Sequence, residues 1–398
     1  MPRVCWYFQI HQPWRLRPYS IFDVGNRHDY FATDSSLDFD NETVLKKVAD
    51  KSYRPMFALL EELLTEYQDF VFALSFSGVV LEQFQEFAPD LISSLQRMVK
   101  TQRVELLGET YYHSLASLYD PPEFADQVAL HTQTIKSLFG EKPNIFRNTE
   151  LIYTDQVAKQ VGQLGFKGML AEGADQVLQG RSPTKLYQSP NGELPLLLKH
   201  YQLSDDIAFR FSQRSWASWP LTADKFEYWL TQPFQNDDII NLFMDFETFG
   251  EHQWESEGIF PFFRELIKLL NSNQAVEMVT PTQAVTDLQP VDIFSSDTPI
   301  SWADIDRDIT AWVGNPLQHD AINRLYSLGD KLQHLPKEGA ASLLADWRRL
   351  QTSDHFYYMC TKWANDGDVH AYFSPYQTPY EAYNNYNNVL ADLLTRIE

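Results

Sequence analysis

The sequence has few cysteines and no long apolar run. Only Cys5 and Cys360 occur in 398 residues, so a disulfide framework is not expected, although the count alone leaves one bridge open. No apolar run approaches the roughly 18 residues that cross a bilayer, and the first apolar segment turns polar without a small-residue cleavage site. We therefore expect a soluble cytoplasmic protein without a signal peptide or a membrane partner.

The sequence is also poor in basic residues. Lysine and arginine together number 32 against 54 aspartates and glutamates, which gives a net charge of −22. A chain this acidic repels polyphosphate, so a nucleic acid partner is not expected. The hydrophobic content of 44% excludes a disordered chain. The length suits either two domains or one barrel-sized domain with an appendage.

Seven short apolar segments recur up to about residue 250, each bounded by polar or turn residues. Several are continuously apolar rather than alternating, which is typical of strands covered on both faces of a parallel sheet. Segments of helical periodicity lie between them, so the pattern predicts βαβ units and a barrel-like parallel sheet. The predicted strands are 4–10, 70–76, 104–107, 144–146, 167–170, 194–200 and 239–244.

A turn-rich break at 295–299 is followed by helical periodicity alone. We therefore predict a barrel domain over residues 1–290 and a helical domain over residues 291–398. The stretch 14–41, rich in Asp, Tyr and Ser, is too long for a simple connection. It is interpreted either as a functional loop beside the first strand or as a surface excursion.

Carboxylates follow several predicted strands, at the rim where parallel barrels build their sites. Asp245 ends the seventh strand with Glu247 two positions further, so each could raise the pKa of the other and keep one acid protonated. The alternative is that Asp245 or Glu247 caps the turn that follows or forms an ion pair with an arginine, which would explain these residues equally well. Glu150 follows the fourth strand and Glu172 the fifth, and spacing does not choose between them. Glu150 could also be a helix-start residue that the macrodipole favours.

Histidines and tryptophans supply the remaining signals. His11 and His113 follow predicted strands and could bind a metal, transfer protons or donate to a substrate. Neither has a partner at a convincing metal-ligand spacing, so zinc is the weaker interpretation and a structural histidine the alternative. Tryptophans in polar contexts suit stacking on sugar rings, with packing outside the barrel as the alternative. They are Trp216, Trp219, Trp254, Trp302 and Trp312.

Five motifs occur in order along the chain: 11–13 (HQP), 108–113 (GETYYH), 147–151 (RNTEL), 245–250 (DFETFG) and 300–312 (ISWADIDRDITAW). In this order they resemble the motifs of glycoside hydrolase family 57, from residue 1 to about residue 315. The tail, 355–358 (HFYY) through 373–376 (FSPY), resembles the α-amylase-type branch of that family.

The resemblance implies an α/β fold, an incomplete seven-stranded (β/α)7 barrel whose groove is completed by a C-terminal helical domain. It also implies hydrolysis of α-1,4-glucans with retention of configuration, without a metal or a cofactor. Matched motif by motif, Glu150 is the implied nucleophile and Asp245 the implied general acid/base. The implied substrate-binding residues are His11, His113, Arg210, Glu247, His252, Trp254, Trp302, Asp304, Asp308 and Trp312.

A retaining mechanism predicts that the two carboxyl groups stand roughly 5–5.5 Å apart. It also predicts that Asp245 lies near other carboxylates or apolar walls, and Glu150 near donors such as Arg147. The alternatives are a 4-α-glucanotransferase or a branching enzyme on the same scaffold, and a catalytically silent α-glucan-binding protein. A zinc-dependent, deacetylase-like barrel is a third alternative, which lacks a convincing ligand triad. The sequence leaves the oligomeric state open.

Overall fold

Seven parallel strands form the centre of the protein, in the sheet order Val104–Leu106, Phe72–Phe76, Arg3–Ile10, Ile239–Asp245, Pro195–Lys199, Gly168–Glu172 and Ile145–Arg147. The computed structural model describes residues 1–33, 39–192, 194–234, 237–274, 276–333, 337–362 and 374–398. The parallel strands are β1 Arg3–Ile10, β2 Phe72–Phe76, β3 Val104–Leu106, β4 Ile145–Arg147, β5 Gly168–Glu172, β7 Pro195–Lys199 and β8 Ile239–Asp245. All seven predicted strands are therefore confirmed, with ends shifted by one or two residues.

Two further strands escaped the sequence pattern. β6, Leu186–Gln188, pairs antiparallel with β7, and β9, Glu277–Met278, pairs with β1. With three and two residues, neither is long enough to show a hydrophobic period. Their position is decided by the strands that they pair with.

Alternate residues of β1 face opposite sides of the sheet. Trp6 and Phe8 pack edge-on against Phe263 of the surrounding helix Ile259–Asn273, with ring centroids 5.3 and 6.0 Å away. Cys5 and Tyr7 belong to a separate inner cluster. Because both faces are covered, the strand is apolar without interruption.

The sheet curves until its two ends meet at one residue. Gly108, two residues after the end of β3, forms a parallel bridge with Phe146 of β4. Its N–H donates to the carbonyl of Ile145 and its carbonyl accepts from the N–H of Arg147, over 2.9 and 2.8 Å. A Cβ on Gly108 would lie 2.6 Å from the ring of Phe166, so close approach requires glycine here. By contrast, β7 and β8 share a single residue pair, which leaves the barrel incomplete.

Helices cover the sheet and continue beyond it, as the periodicity predicts. Thr154 caps Asp155–Gln163 through its hydroxyl, which accepts from the N–H of Val157 over 3.0 Å. The described helices are Asn41–Val48, Arg54–Glu66, Gly78–Phe87, Pro89–Val99, Ala116–Tyr119, Pro121–Phe139, Asp155–Gln163, Asp175–Leu178, Tyr201–Ala208, Ala223–Thr231, Ile259–Asn273, Pro281–Asp287, Thr310–Val313, Pro316–Gln333, Lys337–Leu350, Ser353–Tyr357 and Pro379–Ile397.

The stretch after β1 packs on the last helix. Asp392 of Pro379–Ile397 accepts from Tyr30 Oη over 2.6 Å and from the backbone N–H of Gly25 over 2.6 Å. Tyr19 and Tyr30 belong to the same apolar cluster as Tyr386. Within the predicted stretch 14–41, residues 34–38 lie outside the described residues, and so does Phe373 of the tail motif.

Residues that follow the predicted domain boundary still contact the barrel. Phe294 N–H donates to the carbonyl of Gln188 in β6, and Ile300 forms a two-residue bridge with Tyr153. The boundary at residue 291 stays a prediction. Cys5 and Cys360 are buried and form no disulfide within the described chain. No helix in the described ranges is both long and apolar enough to traverse a bilayer.

Candidate active site

A cavity of about 950 Å³ opens at the carboxyl ends of the parallel strands. Alternation along the strands explains its polar lining: inward positions of β8 run from Ile239 and Phe243 to Asp245 at the rim. In β1 the inward series ends with Gln9, followed by His11. Ten predicted site residues line the cavity: His11, His113, Glu150, Asp245, Glu247, His252, Trp254, Trp302, Asp304 and Trp312.

Glu150 lies in the short 3-10 turn Thr149–Leu151 between β4 and the next helix. Its backbone has φ 56°, the left-handed region that non-glycine residues rarely adopt. One carboxylate oxygen accepts from His113 Nε2 over 3.1 Å and from Ser353 Oγ over 3.2 Å. The other accepts from Trp302 Nε1 over 2.8 Å. Three donors therefore fix the carboxylate, and the turn with its left-handed residue places Glu150 at the cavity.

These contacts set the protonation state of Glu150. Burial alone would raise its pKa. The hydrogen bond and charge of His113, the charge of Arg147 and the Trp302 N–H outweigh burial and hold the pKa below its ordinary value. Arg147 thus acts through its charge, as expected, while the direct donors are three other side chains. Glu150 is ionised at neutral pH.

Asp245 has the opposite environment. Burial and then the negative charge of Glu150 raise its pKa to about 6, against the opposing charges of Arg147, Lys199 and His113. Its carboxyl group forms no hydrogen bond or ion pair with any residue in the described ranges. It is therefore free to exchange a proton with a molecule in the cavity. The expected contrast between the two acids is present.

His113 links Glu150 to a second carboxylate behind it. Its Nδ1 lies 3.8 Å from Glu109 Oε2, and Arg147 Nη1 approaches the same oxygen at 3.7 Å. Burial would lower the pKa of His113, but Glu109 and Glu150 raise it to about 9. His113 is thus an imidazolium at neutral pH, held between two carboxylates.

His11 stacks on His113 with ring centroids 4.0 Å apart. Burial and the charge of His113 lower its pKa, which favours the neutral ring. Its Nε2 donates to Asp354 Oδ2 over 2.9 Å, and its Nδ1 accepts from Ser77 Oγ over 2.7 Å. Both nitrogens therefore have protein partners.

Glu247 also lines the cavity. It lies in the turn Phe246–Thr248 directly after β8 and accepts from Tyr53 Oη. Burial and the charge of Asp245 raise its pKa to about 8. Glu247 is neutral at pH 7, so it does not compete with Glu150 as an anion.

Glu172 is excluded from the cavity lining. It is the last residue of β5, fully buried, with Lys199 Nζ and Arg307 Nη1 at 3.8 and 4.0 Å from Oε2. Burial raises its pKa to about 7. The structure thus separates the two glutamates that spacing could not, because Glu150 faces the cavity and Glu172 faces the barrel interior.

Three of the five tryptophans singled out from the sequence line the cavity. Trp302 contacts Glu150, Trp312 is buried against Tyr357 with ring centroids 6.0 Å apart, and Trp254 is 56% exposed at the rim. Trp216 and Trp219 are not among the described lining residues. They lie beside Arg210 and Arg214 instead.

Two of the predicted substrate-binding residues, Arg210 and Asp308, are not among the described residues that line the cavity. Arg210 donates to Asp206 Oδ1 over 2.6 Å, one helical turn away. Asp308 accepts from the backbone N–H and the hydroxyl of Thr310, at the start of helix Thr310–Val313. The guanidinium of Arg210 and the carboxylate of Asp308 are therefore both bound to residues nearby in the sequence. Asp304 does line the cavity, but its carboxylate is paired with Lys362 Nζ at 3.2 Å.

Further lining residues escaped the sequence reasoning. Both Asp354 and Tyr357 lie on the short helix Ser353–Tyr357; Asp354 directly precedes the tail motif 355–358, and Tyr357 lies within it. Lys199 and Arg307 also line the cavity. The end of β7 was a usable signal for Lys199, and the fifth motif, 300–312, was a usable signal for Arg307.

His252 lines the cavity as a neutral ring, because burial lowers its pKa to about 4. Across the described ranges, no group of three or more His, Cys, Asp or Glu side chains is arranged to hold a metal ion. The side chains available for chemistry include two carboxyl groups whose pKa values are shifted in opposite directions, beside an imidazolium and an indole N–H.

The family model described as glycosyl hydrolase family 57 matches residues 5–301. The chain belongs to glycoside hydrolase family 57. A Methanocaldococcus jannaschii protein named "Putative alpha-amylase" is 42% identical over 395 residues, which are 97% of this chain and 82% of that protein. Family 57 membership and this relative make the chain a glycoside hydrolase.

Three solved structures share this fold. A Thermococcus litoralis 4-alpha-glucanotransferase gives a TM-score of 0.69 at 14% identity, covering 89% of this chain and 56% of its own. A Thermococcus kodakaraensis GH57 branching enzyme gives 0.68 at 13% identity, covering 90% and 86%. A Thermotoga maritima alpha-amylase gives 0.63 at 13% identity, covering 100% and 94%. The incomplete (β/α)7 barrel expected from the motifs is confirmed.

Proposed function

We propose that this protein hydrolyses α-1,4-glucans with retention of anomeric configuration, as an α-amylase-type enzyme. The observation that carries the proposal is that Glu150 and Asp245 face one cavity with opposite pKa shifts. A double displacement needs one ionised and one protonated carboxyl group at the same pH. The name of the 42% identical relative supports the choice of α-glucan.

In the first step, Asp245 protonates the glycosidic oxygen while Glu150 Oε attacks the anomeric carbon. The bond to the leaving sugar breaks and a covalent glycosyl-enzyme forms on Glu150. The positive charge of His113 and the N–H of Trp302 keep Glu150 ionised before attack. Because Asp245 lacks a hydrogen-bond partner among the described residues, it is available to the leaving oxygen.

In the second step, Asp245 removes a proton from water, which attacks the glycosyl-enzyme and releases the sugar. Loss of the Glu150 negative charge in the intermediate lowers the pKa of Asp245, since that charge is one of the causes that raise it. The change favours the basic form of Asp245 when a base is required.

The test is a comparison of Glu150→Gln, Asp245→Asn and Glu255→Gln on maltooligosaccharides. We expect roughly a thousandfold loss of kcat for each of the first two. Glu255 lies in an exposed turn, so its variant serves as a control with normal activity. Activity within a few-fold of wild type in either site variant contradicts the assignment.

An activated aryl α-glycoside separates the two roles, because its leaving group needs no acid. With it, Asp245→Asn is expected to accumulate a glycosyl adduct on Glu150, detectable by mass spectrometry, whereas Glu150→Gln forms none. NMR of the first product is expected to show the α-anomer. Products longer than the substrate would indicate transfer to a sugar acceptor, the activity of a glucanotransferase or a branching enzyme.

A further inference from the structure

Trp302 is attached to Glu150 by two hydrogen bonds. The indole Nε1–H donates to the carboxylate, and the backbone N–H donates to the Glu150 carbonyl over 3.3 Å. The guanidinium of Arg147 lies 4.8 Å from the ring centroid and Lys199 Nζ lies 5.3 Å from it. The position of this one ring therefore affects the carboxylate proposed as the nucleophile.

The loop that carries Trp302 does not keep its shape through backbone preference. Asp304 and Arg307 have φ values of 63° and 51°, in the left-handed region that is unfavourable for both residue types. Other contacts hold such a loop, and one of them is the backbone N–H of Ser301, which donates to the carbonyl of Arg307 over 3.0 Å. Arg307 Nη1 donates to the carbonyl of Trp302 over 2.6 Å, so it closes the loop on itself.

Arg307 is in turn fixed from the barrel side. Its Nη2 donates to Asp205 Oδ2 over 3.0 Å, and Asp205 Oδ1 accepts from Lys199 Nζ over 3.2 Å. The guanidinium lies 4.4 Å from the ring centroid of Tyr201. Glu172, fully buried, faces both cations. These ion-paired side chains are largely buried at the cavity wall, so they keep their partners because separating buried charges is costly.

We propose that Arg307, fixed by Asp205 and Glu172, is a positioning residue that sets the indole of Trp302 against Glu150. This inference rests on the proposed role of Glu150. Arg307 acts on the reaction through Trp302, and its guanidinium is preferred over an ammonium because two separate N–H groups reach the Trp302 carbonyl and Asp205.

The test is a double-mutant cycle of Arg307→Lys and Trp302→Phe on the full chain. Arg307→Lys keeps the charge but loses the two-pronged contact. We expect kcat to fall roughly 10- to 100-fold with little change in KM, and the acid limb of the pH profile to move upward as Glu150 loses its donor. In the Trp302→Phe background, the same substitution is expected to change kcat by less than about twofold.

Arg324→Lys is the matched control, because Arg324 is exposed and pairs with Asp320 on its own helix. Asp205→Asn is the second variant should Arg307→Lys not fold, and the same shift of the acid limb is expected. An unmoved acid limb overturns the proposal, and so does an Arg307→Lys effect of full size in the Trp302→Phe background. A rise in KM alone assigns Arg307 to substrate binding and also overturns it.

The results of the double-mutant cycle are compared with the activity of Glu150→Gln. Inactive Glu150→Gln with unaffected Arg307→Lys refutes the positioning role alone. Active Glu150→Gln refutes the proposed function itself.

Discussion

Replacing Trp302 by phenylalanine removes the N–H that donates to Glu150 over 2.8 Å and keeps an aromatic ring in the cavity wall. A hydrogen bond to a charged group contributes about 1.5–3 kcal/mol, and about 1.4 kcal/mol corresponds to one pH unit in an ionisation. In the wild-type protein this donor stabilises the ionised carboxylate. Its removal therefore raises the pKa of Glu150 in the variant. We expect the acid limb of kcat/KM to move upward by about 1 to 2 pH units.

The assay is the initial rate of maltooligosaccharide hydrolysis from about pH 3 to pH 9, at substrate concentrations well below KM. Trp312→Phe makes the same chemical change in the same cavity, and no hydrogen bond joins Trp312 to Glu150 within the described part of the chain. Its acid limb is therefore expected to stay in place. A Trp302→Phe profile with the wild-type acid limb would refute the claim that the indole sets the ionisation of Glu150. A general loss of rate at every pH would not support it either.

Two further predictions concern the protonation state of Glu247 and the contact between β3 and β4 at Gly108. Because the pKa of Glu247 is raised to about 8, this residue is protonated at pH 6, where a glutamine resembles it. Glu247→Gln is expected to retain kcat/KM within a few-fold at pH 6, and a loss above about tenfold would contradict a neutral Glu247. Gly108→Ala places a Cβ 2.6 Å from Phe166 and is expected to cost about 1–3 kcal/mol in urea unfolding. An unchanged unfolding midpoint would contradict the tight closure.

Much of the fold follows from hydrophobic pattern. The segment 239–244 is continuously apolar because β8 is covered by helices on one face and barrel interior on the other. The other parallel strands could be predicted for the same reason, because coverage of both faces requires apolar residues. β6, Leu186–Gln188, was not predicted because an antiparallel partner, rather than its own pattern, defines it.

The site was predictable only in part. Asp245 could be found because it ends a long apolar strand. Glu150 could not be separated from Glu172 by pattern, since both follow short strands. Arg210 is not among the described lining residues and donates to Asp206, a pair that local spacing does not reveal; its role in substrate binding stays a prediction.

The sequence by itself determined which segments become strands and which ends carry carboxylates, because burial periodicity and turn chemistry are local properties. Tertiary structure alone decided the chemistry of each acid. Glu150 is ionised because His113 and Trp302, both distant in the chain, converge on it and add to the charge of Arg147. Protonation states depend on the distance between charges and on the exclusion of water, and both are set only once the chain has folded.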